Sequence, residues 1–198
     1  MSQPAAGQAH HKADLRRHYR ALRQTLLPQA GPAIADQLQA ALGQLTAADQ
    51  HLGLYWPLAG EVDLLQLQRP TASQRPTAWP CPLALPAISQ GQLVYRAWEP
   101  ESPLEPDDCG IPAPLGTALP ASALSCLLVP ALAFDGAGVR LGSGGGWYDR
   151  LRTAAAWTRV PSFAVLPQGC LVANLPRDPW DRPLDGWLDE TGLHHCQP

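Results

Sequence analysis

No apolar run in this 198-residue chain approaches the ~20 residues that span a bilayer as a helix, so a membrane span is not expected. Charge of one sign is also lacking. Fourteen Lys and Arg stand against 17 Asp and Glu, a net charge of −3, which argues against a nucleic-acid partner. The start, "MSQPAAGQAHHKADLRRHYR", has no hydrophobic leader core, so export is not expected. Cysteine is sparse. Residues 81, 109, 126, 170 and 196 are odd in number and include no C-x-x-C pair, so neither a disulfide framework nor a zinc knuckle is indicated. A reducing cytoplasm fits that usage. The six histidines show no metal-ligand spacing.

What the chain has in excess is proline, 22 in all, which predicts many reversals and short elements. Residues 1–11 read as a frayed tail and 12–198 as one domain. Leu15, Tyr19, Leu22 and Leu26 recur at helical spacing and predict a helix over 12–27. Its other face carries Arg16, Arg17, Arg20 and Arg23, by default a solvated face. Pro32 is suited to open a second helix with Ile34, Leu38, Leu42 and Leu45 inward. "HLGLYW" at 51–56 reads as a buried strand, and "AGEVDLLQLQ" as the start of a further helix. From Thr77 to Trp98 the pattern is strand-like but broken by Pro80, Pro82 and Pro86, and "QLVYRAW" is its clearest strand. Residues 99–120 form a Pro-rich connector. "LSCLLVPALAF" at 124–134 is a continuous apolar run, as in a central parallel strand. "YDRLRTAAAW" predicts a helix, and "SFAVL" and "GWLDE" predict strands. Strand, loop, helix, strand points to an α/β fold with a largely parallel sheet.

The segment "ALAFDGAGVRLGSGGGWYDR", 131–150, packs six glycines between Gly136 and Gly146. Ordered glycine is entropically costly, so the cluster implies tight turns or close approach of a ligand. Its place after a buried strand and before a helix suits an anion cradle of backbone N–H groups. It is neither a P-loop nor a dinucleotide fingerprint, because G-x-x-x-x-G-K-[ST] is absent and the last position of G-x-G-x-x-G would fall on Trp147. Arg140 adds a guanidinium suited to phosphate oxygens. Asp149 alone reads as a helix-dipole partner, and beside a phosphate site as a Mg²⁺ ligand. Asp181 reads as a surface-turn acid, Glu61 as an N-terminal helix acid and Trp56 as a core aromatic.

Taken in order, "KADLRRHYRALR", "LGLYWPLAGEVDL", "CGIPAP", "LLVPALAFDGAGVRLGSGGGWYDRLR" and "FAVLPQGCLVANLPRDPWDRPLDGWLDETG" resemble the 5-formyltetrahydrofolate cyclo-ligase family. The fourth segment resembles its V-P-G-L-A-F-D…R-L-G-x-G-x-G-Y-Y-D-R signature, the specific part. The resemblance implies a single three-layer α/β/α domain, Rossmann-like and akin to CoA-transferase domains. It implies conversion of 5-formyltetrahydrofolate and MgATP into 5,10-methenyltetrahydrofolate, ADP and phosphate. The formyl oxygen attacks the γ-phosphate, N10 closes the ring on the iminophosphate, and phosphate leaves. It further implies that Lys12 and Arg16 reach the ATP phosphates, and that Arg140, Leu141, Gly142, Ser143, Gly144, Gly145, Gly146, Trp147 and Tyr148 wrap ATP. Arg140 and Tyr148 are the implied catalytic pair. Ser143 to Trp147, with Trp56 and Glu61, would meet the folate, polyglutamylated or not. Asp149 and Asp181 would hold Mg²⁺, with Asp178 and Asp185 as other candidates for the second acid. A monomer or weak dimer is expected, with no nucleic-acid or membrane partner.

The chain departs from the family pattern at Trp147 for Tyr, Ala113 for the acid of G-I-x-E-P, Gly145 for a lysine in some members, and Pro167 for an acid. Two other readings remain: a folate- or nucleotide-binding protein without turnover, and an ATP-dependent kinase of another metabolite.

Overall fold

The computed structural model describes residues 6–47, 49–68 and 79–197. Helix α1 runs from Ala6 to Leu45 with Pro28 and Pro32 inside it. The two helices expected over 12–27 and from Pro32 are therefore one. Residues 6–11, expected as a frayed tail, are its first turns, and residues 1–5 lie outside the described residues. An interior proline costs about 3 kcal/mol, because it removes a donor and crowds the carbonyl four residues back. Packing offsets that cost. Tyr19, Leu22 and Leu26 lie against one core cluster, whereas Ile34, Leu38, Leu42 and Leu45 are buried in another. The helix changes the layer it serves at the prolines.

The strands are β1 (His51–Gly53), β2 (Leu83–Ser89), β3 (Gln92–Trp98), β4 (Leu104–Pro106), β5 (Pro112–Pro114), β6 (Leu124–Pro130), β7 (Ala133–Asp135), β8 (Arg140–Leu141), β9 (Ser162–Val165), β10 (Leu171–Val172), β11 (Gly186–Asp189) and β12 (Gly192–His195). Seven form the central sheet, in the order β12-β11-β9-β6-β1-β2-β3. The five inner strands run parallel, and an antiparallel strand closes each edge. Pro86 is tolerated in β2 because β1 pairs only with Leu83 and Ala84 and ends before it.

Side chains alternate across the sheet as the pleat requires. Leu52, Leu85, Leu128, Val165 and Leu188 face the second half of α1. Ala84, Leu127, Val129 and Ala164 face the opposite layer. That layer comprises the first half of α1, the short helices α2 (Trp147–Leu151) and α3 (Ala155–Thr158), and a small sheet ordered β10-β7-β8. The expected α/β architecture with a mostly parallel central sheet is present.

Several expected elements are shorter. The run 124–134 divides into β6 and β7, since Pro130 has no N–H to continue the ladder and the chain leaves the sheet there. "HLGLYW" contributes only β1, and "AGEVDLLQLQ" only a 3₁₀ helix at Leu64–Gln68. The helix expected over 148–157 breaks after Leu151. Arg152 turns inward there and donates to the Val160 carbonyl at 3.0 Å and the Pro183 carbonyl at 3.1 Å. The Pro-rich connector holds the β4–β5 hairpin. Thr77 and Ala78 lie outside the described residues. Among the described residues no helix is long and apolar enough to cross a membrane.

Candidate active site

A cavity of about 590 Å³ opens at the carboxyl ends of the parallel strands, where α/β sheets place ligands. Tyr55 and Trp56 follow β1 into its wall, Pro130 ends β6 there, and the loop 142–146 supplies a rim. All residues expected at the site line this cavity: Lys12, Arg16, Trp56, Glu61, Arg140 and the run from Leu141 to Asp149, together with Asp181.

The glycine cluster has two separate uses. Gly136 and Gly138 belong to the β7–β8 turn, away from the cavity. Gly138 has φ +82°, and a Cβ there would stand 2.6 Å from the Leu184 carbonyl, so only glycine fits. Asp135 fastens that turn, accepting from the Ala137 and Val139 N–H groups at 3.0 Å and from Leu175 at 2.8 Å. Gly142 to Gly146 form the cavity rim, with φ +113° at Gly144 and +64° at Gly146, the residue preceding α2. Arg16 Nε donates to the Gly142 carbonyl at 3.1 Å, and Arg150 to the Gly145 carbonyl at 2.9 Å.

Two of the cavity's cations, Arg140 and Lys12, are paired with its carboxylates. Arg140 donates to Asp149 Oδ2 at 3.1 Å and to the Pro130 carbonyl at 3.3 Å, and its guanidinium lies 5.3 Å from the Tyr148 ring centre. Lys12 donates to Asp178 at 2.6 Å and to Asp181 at 2.8 Å. This separates the three candidates for the second acid by position. Asp178 and Asp181 both line the cavity, while Asp185 accepts from the Ser162 N–H at 2.8 Å and faces Arg152.

Glu61 accepts from the Leu58 N–H at 3.1 Å, and burial raises its pKa against the opposing pull of that bond, Arg23 and Arg140. Burial, reinforced by the Glu61 charge, pushes the Tyr148 phenol well up, so it stays a neutral O–H donor. Arg23 is the residue most misjudged by its pattern. It is 4% exposed rather than solvated, donates to the Ala131 carbonyl at 3.0 Å, and faces Glu61 electrostatically. Arg17, on the same expected face, is exposed and pairs with Asp14 at 2.7 Å. The pattern reading also missed Tyr55, whose hydroxyl donates to the Val62 carbonyl at 2.8 Å, and Trp180, both in the cavity wall. Arg150 had a legible signal, since it closes the W-Y-D-R run and lies 4.4 Å over the Trp147 ring.

Two departures from the family pattern prove sterically linked. A Cβ at Gly145 would meet Trp147 Cδ1 at 2.7 Å, so the larger indole occupies the space a side chain at 145 would need. Ala113, on β5, is buried and pairs in register with Glu105.

The profile of the 5-formyltetrahydrofolate cyclo-ligase family matches residues 8–189. The chain is 32% identical over 140 residues to a 5-formyltetrahydrofolate cyclo-ligase of Haemophilus influenzae, covering 68% of this chain and 73% of that one. It is 38% identical over 102 residues to the Escherichia coli protein of the same name, covering 49% and 55%. In three dimensions it resembles 5,10-methenyltetrahydrofolate synthetase of Aquifex aeolicus, with TM-score 0.71, 25% identity and coverage of 94% and 93%. The synthetase of Mycoplasma pneumoniae shares the fold at TM-score 0.60 and 19% identity, covering 90% and 98%. The chain belongs to the 5-formyltetrahydrofolate cyclo-ligase family.

Proposed function

We propose that this chain converts 5-formyltetrahydrofolate and MgATP into 5,10-methenyltetrahydrofolate, ADP and phosphate, acting as a cytoplasmic monomer or weak dimer. The observation that carries this reading is one cavity with two kinds of wall. Lys12, Arg16, Arg140 and the glycine rim suit phosphates, while Trp56, Trp147 and Glu61 suit a flat heterocycle with polar edges. A phosphoryl acceptor and its donor are thereby held together, the main task in phosphoryl transfer.

Among the described residues no three His, Cys, Asp or Glu side chains form a ready metal cage. Asp149 and Asp181 fit a Mg²⁺ held by one or two carboxylates plus substrate phosphates. The ion would supply charge neutralisation on the transferred phosphoryl. Arg140 is placed to stabilise the same charge, and Tyr148, neutral and half-buried beside it, to donate a hydrogen bond. Glu61 would accept from the N–H edge of the pterin. No covalent enzyme nucleophile is required, because the formyl oxygen itself attacks the γ-phosphate and N10 then closes the ring.

The test is to follow the near-ultraviolet band of methenyltetrahydrofolate. A rise that needs both ATP and Mg²⁺ is expected. Binding of both ligands without ADP release would overturn the reading in favour of a non-catalytic binder. ATP consumption only with a substrate lacking the folate ring would overturn it in favour of a kinase.

A further inference from the structure

Lys12 lies between two acids that reach it from one turn. One ammonium is shared by two carboxylates, Asp178 at 2.6 Å and Asp181 at 2.8 Å. Lys12 is 9% exposed and Asp178 7%. Two carboxylates held together at such low exposure favour the arrival of a further cation. The two acids are fixed beside each other by their own turn. The Asp178 N–H donates to Asp181 Oδ2 at 2.8 Å, and the Asp181 N–H donates to the Asp178 carbonyl at 3.0 Å.

We propose that Asp178 is a positioning residue: it keeps Lys12 aimed into the cavity while Asp181 exchanges its lysine partner for the divalent cation that accompanies the nucleotide. The inference rests on the nucleotide reading above and deepens it. An ammonium has three donors, and two are taken by the carboxylates. When Asp181 turns to the cation, Lys12 keeps Asp178 and has two donors for phosphate oxygens. Asp181 is the more exposed of the two acids, 16% against 10% by side chain, so it is the one able to leave. Before that exchange both carboxylates draw on Lys12 and weaken its hold on bare phosphate. After it Lys12 has one acid to satisfy. Cation and nucleotide therefore enter as a unit.

The competing account is that the pair is only a strut fastening α1 to the 178–181 turn. The two accounts diverge for Asp178→Asn. With Asp178 neutral, Asp181 is the cluster's remaining carboxylate for Lys12, and the cation must displace the lysine to bind. MgADP affinity, measured by calorimetry, should fall about tenfold or more. Affinity for 5-formyltetrahydrofolate should stay unchanged, and Asp178→Glu should recover most of the loss. A strut would instead lower the melting temperature and weaken both ligands alike, which would overturn the proposal.

Asp181→Asn gives a check that does not depend on the Asp178 variant folding. It removes one of the two carboxylates that draw on Lys12, so ADP without Mg²⁺ should bind more tightly than to the unaltered protein, while MgADP binds more weakly. Metal-free ADP binding that is unchanged or weaker would overturn the exchange. If the unaltered protein binds no MgADP at all, the nucleotide reading itself fails. That result is distinct from one in which MgADP binds and the variants do not discriminate.

Discussion

Arg140, at the start of β8, and Asp149, in the first turn of α2, meet at 3.1 Å across the mouth of the glycine rim. Their side chains are 7% and 24% exposed, so the pair is shielded from water but open to the cavity. Each therefore has a partner to give up when a ligand of the right charge arrives.

Asp149→Asn keeps an acceptor for Arg140 but removes the negative charge. Turnover should fall roughly 10–100-fold, with a higher Mg²⁺ concentration needed for half-maximal rate. The stability loss should stay near 1 kcal/mol, since the hydrogen bond survives in neutral form. Steady-state kinetics across a Mg²⁺ titration, with thermal unfolding alongside, checks both. Unaltered turnover at saturating Mg²⁺ would remove Asp149 from the metal site.

Arg140→Ala should raise the KM for ATP by roughly tenfold or more, the equivalent of one lost charge-assisted bond, and leave the KM for 5-formyltetrahydrofolate nearly constant. Initial rates with each substrate varied in turn give the split. An unchanged ATP dependence would sink the assignment.

Glu61 makes stability pH-dependent with a defined sign. Its folded-state pKa is raised above the ordinary 4.5, chiefly by burial, so the folded chain holds that proton more tightly than the unfolded chain. Its contribution is fully favourable below pH 4.5 and is lost as pH rises through the raised value. Glu61→Gln removes this slope. Denaturant midpoints of the two proteins, compared from pH 4 upward, should therefore diverge in the window just above 4.5, with the unaltered protein losing ground.

Gly138→Ala separates the two uses of the glycine cluster. The positive φ and the Leu184 carbonyl at 2.6 Å from the added Cβ predict a loss of about 1–3 kcal/mol in chemical denaturation. The KM for ATP should not move, because Gly138 lies outside the cavity. A glycine cluster serving only the ligand would give the reverse pattern.

The sheet was legible because its strands are apolar runs bounded by proline and glycine, as with "SFAVL" and "QLVYRAW". Helix α1 was legible in its two halves but not in its continuity. Pro28 and Pro32 are local stop signals, and they are overridden by burial of Leu38 and Ile34 in a core that sequence spacing does not display. The cavity lining was legible as a set of residues and not as a set of pairs. Nothing local in "KADLRRHYR" shows that Lys12 is clasped by two acids 166 and 169 positions away. Arg23 shares its helical face with exposed arginines, and only the corner where β6 leaves the sheet, at the Ala131 carbonyl, decides that it is buried.

The single rod of α1 carries Lys12 and Arg16 at one end and Leu38, Leu42 and Leu45 at the other. On the proposed reading, charge recognition and core formation are borne by one helix rather than by a loop and a scaffold. If a ligand grips Lys12 and Arg16 as proposed, the free energy gained is shared by the helix and the two layers it joins, and occupancy and resistance to heat rise together. In a cell, the level of such a protein would follow the supply of its own ligand, because the empty form is the one that unfolds and is degraded first.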